Sequence, residues 1–398
     1  MFISQTLSSP EAFSKALFEK MKTIQPAIAD LEPYEFRYCL NNITPEGGWA
    51  SIQPLPQAGI EQMVNSRAFY DSIQIKPKVD DHIVLDKQIV WLAHMLFVGL
   101  VTGDYPEAWV EQHFYFDIRS FFFLHRTTYF TDEVLAHFGG RPYRQFEQKQ
   151  KAFEYYQGVG YKAFAEANAE LDALFIDSVK KIIAAIGIPV LLAIAGPTAA
   201  GKTEIVERLN RSFEQDGCKT TSIELDNFFT DRDYREARGI DSKGKEAMHF
   251  DLLMQSLEDI THGKALSTPR YNFIDGSSSH DLSGKLKPGR IPVEVQPADI
   301  IFMEGNFPFL IEEILHLIGI KVVYLTDDAV RLKRKWKRDM DYRKKYEENY
   351  FRNRYFKEQF IMAEFAYRPQ MAVCDMTVDT TGAALWVTPE IAEILERG

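Results

Sequence analysis

Between residues 161 and 185, Leu171, Leu174, Phe175, Val179 and the pair Ile182/Ile183 recur at spacings of three and four. That period predicts an amphipathic helix with one buried face. Gly187 is a suitable stop for it, and Pro189 cannot continue it. Val190-Leu-Leu-Ala-Ile-Ala195 follows directly, an apolar run without alternation, as in a parallel strand buried on both faces. Similar runs at 221–225, 298–303, 321–325 and 376–378 predict further strands, and Ile205, Val206 and Leu209 mark the inner face of a helix after the first. Strands alternating with helices predict an α/β fold, a mostly parallel sheet flanked by helices. Upstream, segments 10–30, 86–101, 106–124 and 144–185 read as helical, and 40–85 as irregular with short strands. The expected organisation is a mainly helical domain over 1–186 and an α/β domain over 187–398.

The N-terminal part is also the aromatic one. Residues 1–185 hold 30 of the 52 aromatic side chains, ten of them between Tyr105 and Phe130. Large aromatics mostly bury themselves, so a packed aromatic core is expected there rather than a stacking pocket. Composition is that of a globular protein, 45% hydrophobic and 26% charged. The formal charge of −11 argues against a polyanion or membrane surface as partner. The longest apolar run, residues 89–101, is too short to span a bilayer. The first twenty residues lack the basic region and apolar core of a secretion signal. Cys39, Cys218 and Cys374 are odd in number and far apart, so neither a disulfide framework nor a zinc site is implied. A cytoplasmic protein is expected, with its oligomeric state, including a homo-oligomer, left open.

The chemistry begins where the first strand ends. Gly196-Pro197-Thr198-Ala199-Ala200-Gly201-Lys202-Thr203 fits G-x-x-x-x-G-K-[ST], the phosphate-binding loop of P-loop NTPases. The motif closes at Thr203; position 204 is Glu204, not a further threonine, and stands outside the expected nucleotide-binding set. The glycines permit a path whose backbone amides converge on phosphate oxygens, and the following helix N-terminus favours negative charge. Lys202 is expected to reach the β- and γ-phosphates of ATP, and the Thr203 hydroxyl to ligate Mg²⁺. The strand at 221–225 ends in Asp226, expected beside the nucleotide strand, where a carboxylate can accept a proton from an attacking hydroxyl or help hold Mg²⁺. The strand at 298–303 ends in Glu304, a Walker-B-like acid near the metal.

Residues 331–345 carry nine basic and two acidic side chains, with Arg331, Arg334, Lys335 and Arg338 on one helical face. A lid that closes over ATP and neutralises the transferring phosphoryl group fits that pattern; a solvated basic helix or an RNA patch are the rival readings. The nine histidines show no H-E-x-x-H spacing, and no G-x-S-x-G turn starts a hydrolase triad. His249 is expected to be a pocket-wall or packed residue rather than a catalyst, and His280, in a Ser-rich loop, to be solvated.

In this order the motifs resemble the uridine kinase and phosphoribulokinase family of small-molecule kinases, over roughly residues 188–382. The phosphate loop, Leu225-Asp226-Asn227-Phe228-Phe229, Pro269-Arg270-Tyr271-Asn272-Phe273, the strand ending in Glu304-Gly305 and the segment from Arg331 to Asp339 carry the likeness. The resemblance implies Asp226 as base, Glu304 as a Mg²⁺ neighbour, Tyr271 and Phe229 on the acceptor, and Arg334, Arg338 and Arg343 as lid cations. The acceptor side departs from the family. Phe229 replaces a usual Tyr, Ile274-Asp-Gly-Ser-Ser-Ser replaces a stretch with His and Arg, Lys335 replaces a lid Arg, and Lys344 replaces Gly. The family's sugar-binding acid matches either Asp241 or Glu246. The expected function is transfer of the γ-phosphoryl group of ATP to a hydroxyl of a small polar acceptor such as a nucleoside, sugar or polyol. The alternative is a nucleotide-dependent switch whose N-terminal domain binds a partner.

Overall fold

The computed structural model describes residues 6–24, 28, 33–41, 43–64, 87–114, 131–140, 143–145, 169–240, 244–326, 331, 335, 366–380 and 384–397. Contacts divide the chain into two units, neither continuous in sequence. The first takes Met1–Thr128, Glu147–Phe164 and Asp327–Met362; the second takes Tyr129–Phe146, Ala165–Thr326 and Ala363–Gly398. Among the described residues no helix is long and apolar enough to cross a membrane.

Among its described residues the first unit is mainly helical: α1 (Pro10–Ile24), α2 (Pro33–Asn41), α3 (Gln57–Val64), α4 (Lys87–Thr102) and a helical stretch at 107–114. Phe13, Leu17 and Met21 line the inner face of α1 and pack into one core with Leu92, Leu96 and Phe97 of α4. The described aromatics are core, as expected. Phe13 stacks on Trp49 with centroids 4.3 Å apart, and Trp109 tilts against Tyr105 and Phe114, both at 4.9 Å. The Tyr105 hydroxyl donates to the Leu55 carbonyl at 2.5 Å, so the buried phenol is satisfied. The 40–85 stretch forms no strand among its described residues; a 3₁₀ turn at Trp49–Ser51 and α3 stand there instead. Phe121 to Phe123 lie outside the described residues.

The second unit opens with the short helix α5 (Asp132–His137) and is built on a seven-stranded sheet. The sheet's strands are β1 (Arg144–Gln145), β2 (Val190–Ala195), β3 (Thr220–Glu224), β8 (Ile300–Gly305), β9 (Ile320–Leu325), β10 (Met376–Asp379) and β11 (Ala384–Val387), in the order β1-β11-β10-β9-β2-β8-β3. Between β3 and β8 the chain makes two small antiparallel pairs. In these, β4 (Leu266–Thr268) joins β7 (Val293–Val295), and β5 (Tyr271–Asn272) joins β6 (Ser277–Ser278).

The five sheet strands from β10 to β3 are parallel; at one edge β11 runs antiparallel to them and β1 antiparallel to β11. All six residues of β2 are buried, as its unbroken apolar run requires. The sequence pattern misses β1, whose residues fall in a segment read as helix. Two residues have no period of their own, and pairing with β11, supported by Tyr143 N–H donating to the Leu385 carbonyl at 2.7 Å, makes them a strand. Among the described residues of that segment the helix is α6 (Ala169–Ile186). A second correction concerns order: β3, which leads to Asp226, pairs with β8, and β8 separates it from β2.

Helix α6 packs Leu171, Phe175, Val179 and Ile182 against the sheet, and α7 (Lys202–Gln215) packs Ile205, Val206, Leu209 and Phe213 into the same core. Asp172 lies inside this contact. It accepts a hydrogen bond from the Tyr324 hydroxyl at 2.8 Å and a charged one from Arg208 of α7. One buried carboxylate thus ties α6, the phosphate-loop helix and β9 together, its charge compensated by a guanidinium. Asp172→Ala should cost about 3 kcal/mol by removing the acceptor shared by Arg208 and Tyr324, and Tyr324→Phe only about 1 kcal/mol. Urea midpoints of the two variants should fall in that order, and equal midpoints would remove Asp172 from this role.

Candidate active site

The chain leaves β2 at Ala195 and must turn at once, because β9 lies alongside. A Cβ on Gly196 would stand 2.2 Å from the Tyr324 carbonyl oxygen, and Gly196 has φ 152°. Only glycine fits both conditions. Pro197, Thr198, Ala199 (φ 62°) and Ala200 then carry the loop to Gly201, which adopts a left-handed conformation and precedes the first turn of α7 at Lys202. The loop is pinned from the sheet by Thr326, whose hydroxyl donates to the Ala200 carbonyl at 3.0 Å.

Lys202 Nζ donates to the carbonyls of Gly196 (2.7 Å) and Pro197 (3.0 Å) and to Oδ1 of Asn306 (3.2 Å). Thr203 Oγ1 donates to both carboxylate oxygens of Glu304, at 2.9 and 3.1 Å. Position 204 adds no second hydroxyl. It is Glu204, a half-buried acid in the first turn of α7, so Thr203 alone carries the hydroxyl role there.

Register explains the meeting of Thr203 with Glu304. Ile194 of β2 stands opposite Glu304 of β8, and Glu304 stands opposite Glu224 of β3. Gly305 follows where a side chain would collide with Leu225, a Cβ there lying 2.7 Å from the Leu225 Cβ. The Glu304 pKa is pushed up to about 7, first by loss of solvent and then by Glu224 and Asp226, with Lys202 and Thr203 acting the other way. Asp226 sits half-buried in a 3₁₀ turn (Leu225–Phe228) directly after β3.

A hydroxyl and a carboxylate at the mouth of a phosphate loop are hard oxygen donors of the kind Mg²⁺ takes, and this ion needs only one or two protein ligands besides phosphate and water. The residues fit the ion. Its charge would relieve the repulsion among Glu224, Asp226 and Glu304. Among the described residues no group of three or more His, Cys, Asp or Glu forms a metal cage of its own.

Beyond Asp226 the chain forms an arm. Asn227 Oδ1 accepts the Tyr271 N–H at 3.1 Å, tying the turn to β5 and through it to β6. Phe229 meets Tyr271 edge to face at 5.9 Å, and Tyr271 meets Phe273 at 5.1 Å. Arg232 and Arg235 stand on the short helix α8 (Arg232–Arg238). Arg232 donates to the Phe273 carbonyl at 3.4 Å, and Arg235 lies over the rings of Phe229 and Tyr271. Of the predicted lid, Arg331 and Lys335 are described; both are buried and fall in the first unit. Arg334, Arg338, Arg343 and Asp241 lie outside the described residues, while Glu246 stands in a 3₁₀ turn (Lys245–Ala247).

Sequence reasoning missed Asn306, Thr326 and Arg235. Asn306 follows the Glu-Gly pair directly and Thr326 follows the apolar strand, so both had a local signal; Arg235 had none. The structure also corrects His280, which is buried. His280 Nδ1 and Ser279 Oγ lie 2.9 Å apart, and its ring meets that of His249 at 6.5 Å. His249 is packed as expected, sharing a 3.1 Å hydrogen bond with Ser278 Oγ. Asp231 accepts from Ser278 N–H and from Lys287 Nζ. Burial alone would raise the Asp231 pKa, but Lys287 and the Ser278 amide hold it below the usual carboxylate range.

Strand, glycine loop, lysine and a sheet-end acid in this arrangement define a P-loop nucleotide-binding α/β protein. The profile of the Phosphoribulokinase / Uridine kinase family matches residues 191–384. A uridine kinase of Brevibacillus brevis is 34% identical over 160 residues, 39% of this chain and 69% of that protein. One of Lactobacillus helveticus is 30% identical over 161 residues, 38% of this chain and 68% of that protein. A putative fructose transport system kinase from Silicibacter sp. TM1040 is a distant structural match, at 15% identity and a TM-score of 0.37 over 55% of this chain and 96% of that one. The chain belongs to the phosphoribulokinase/uridine kinase family.

Gly196→Ala should weaken MgATP binding at least about tenfold in calorimetry while far-UV circular dichroism stays native; unchanged affinity would contradict the close approach to Tyr324. A second expectation concerns pH. Burial holds the pKa of both His249 and His280 below the usual 6.5. The unfolded chain therefore binds more protons below pH 6.5, so the arm is fully stable above that pH and loses stability as pH falls through the window beneath it. Protection factors over 271–287, corrected for the intrinsic pH dependence of exchange, should fall as pH drops below 6.5, and His249→Asn should flatten part of that change.

Proposed function

We propose that this protein is an ATP-dependent kinase that transfers the γ-phosphoryl group to a hydroxyl of a small polar acceptor, such as a nucleoside, sugar or polyol. The observation that carries this reading is the shared row of Thr203, Glu304 and the Asp226 turn at the carboxyl ends of β2, β8 and β3. A phosphate loop, a metal-fitting pair and a further acid thus share one edge of the sheet.

In this reading the amides of residues 196–203 and Lys202 hold the phosphates of ATP. Thr203 and Glu304, with Asp226 beside them, would hold Mg²⁺, which when bound neutralises phosphate charge. Asp226 accepts the proton of the acceptor hydroxyl as it attacks. Tyr271 and Phe229 flank the acceptor, and Arg334, Arg338 and Arg343 close over the transferring group as lid cations. Phosphoryl transfer asks little covalent chemistry of a protein, so positioning and charge neutralisation carry most of the rate.

Asp226→Asn should lower acceptor-dependent ADP release by about 10²- to 10⁴-fold while leaving MgATP affinity within about threefold. The assay uses a panel of nucleosides, pentoses, sugar phosphates and polyols, with Lys202→Ala as the blank. Wild-type turnover in Asp226→Asn would remove the base role, and turnover at the blank's level with every acceptor would remove the kinase reading.

A further inference from the structure

Lys202 carries a compact charge on a flexible stem, so its hydrogen-bond acceptors fix where the ammonium stands. Two of them, the Gly196 and Pro197 carbonyls, belong to its own loop. A third, Asn306 Oδ1 at 3.2 Å, comes from the turn that follows β8. An ammonium has three N–H donors, and these bonds engage three. All three acceptors are neutral, so they orient the cation without cancelling the charge that phosphate must meet. A carboxylate would cancel it, and Glu304 lies near enough to feel the Lys202 charge. An ammonium released by Asn306 therefore has that acid as a competing partner.

The position of Asn306 is set from 64 residues further along the chain. The short helix Arg368–Met371, opened by Pro369, stands before β10. Within it Gln370 is fully buried, and its amide is engaged at both ends. Its Nε2 donates to the Asn306 carbonyl at 2.9 Å and to the Ala366 carbonyl at 3.0 Å, and its Oε1 accepts the Phe309 N–H at 3.1 Å. One side chain thus brackets the turn at 306–309 by its first carbonyl and its last N–H. Phe307 of the same turn stacks on Tyr367, the residue before the helix, with centroids 6.4 Å apart and planes 22° apart. A buried amide bonded in this way tolerates little displacement, because a shift would strand a donor or an acceptor away from water. We propose that Gln370 is a positioning residue: through the turn it brackets, it sets Asn306 against Lys202 and so holds the ammonium where the phosphates of ATP arrive. The proposal rests on the ATP-binding part of the kinase reading and not on the choice of acceptor.

The test measures MgATP affinity by calorimetry and ADP release over the acceptor panel, with thermal melts as the folding control. It uses wild type, Gln370→Met, Gln370→Glu, Asn306→Ala, and the double variant joining Gln370→Met to Asn306→Ala. Methionine removes the bracket at similar volume, whereas a protonated glutamic acid keeps an oxygen for the Phe309 N–H and one donor for a carbonyl. MgATP affinity should fall about tenfold in Gln370→Met and in Asn306→Ala, about threefold in Gln370→Glu, and no further in the double variant. A packing role alone would make the two single losses multiply in the double variant, and that result overturns the proposal. Wild-type affinity in a folded Gln370→Met overturns it as well. If Gln370→Met does not fold, wild-type affinity in either Asn306→Ala or Gln370→Glu overturns it. In each of these cases ADP release by wild type leaves the kinase reading intact. Gln370-dependent MgATP binding without ADP release for any acceptor overturns the kinase reading and upholds the positioning role. Absence of MgATP binding by wild type overturns both.

Discussion

Glu304 stands between Ile194 and Glu224 in one register row, with Asp226 just beyond, and this concentration of negative charge is what the rest of the site must satisfy. Carboxylates drawn together away from water repel one another and resist ionisation. The Thr203 hydroxyl and Lys202 lie where they offset that cost, both delivered by the first turn of α7. Their placement depends on the loop crossing under Tyr324, which only Gly196 permits. The phosphate loop and the acids are therefore one electrostatic unit, although Thr203 and Glu304 are 101 positions apart in the chain.

The arm beyond Asp226 is held by different means. A part-buried polar network of Asp231, Ser278, His249 and Lys287 fixes β6 against the turn that follows Asp226. Such a network is stable only when each member is satisfied, which makes the arm sensitive to protonation of its histidines. Aromatic contacts among Phe229, Tyr271 and Phe273 then set the floor on which Arg235 lies. Phe229, one of the departures from the family pattern, lies under that cation, while the phosphate loop keeps its parts.

How much was legible depended on whether the signal was local. The unbroken apolar runs announced β2, β8 and β9, since strands buried on both faces need no alternation. The glycine spacing announced the phosphate loop, and Asp226 and Glu304 were legible as acids ending such runs. Strand order was not: β8 intervenes between β2 and β3 because of packing across the sheet. Nor was β1, a two-residue strand that exists only by pairing with β11. His280 looked solvated from its serine neighbours, yet the arm folds over it.

The sequence by itself determined the class of each long element, the P-loop, the family likeness and the aromatic packing of the first unit, because each is written in spacing along the chain. Only the tertiary structure decided which carboxylates share a row, that Asn306 and Thr326 secure the loop, and that Arg235 lies over two rings. Those facts rest on contacts between residues distant in sequence, and no local period encodes them.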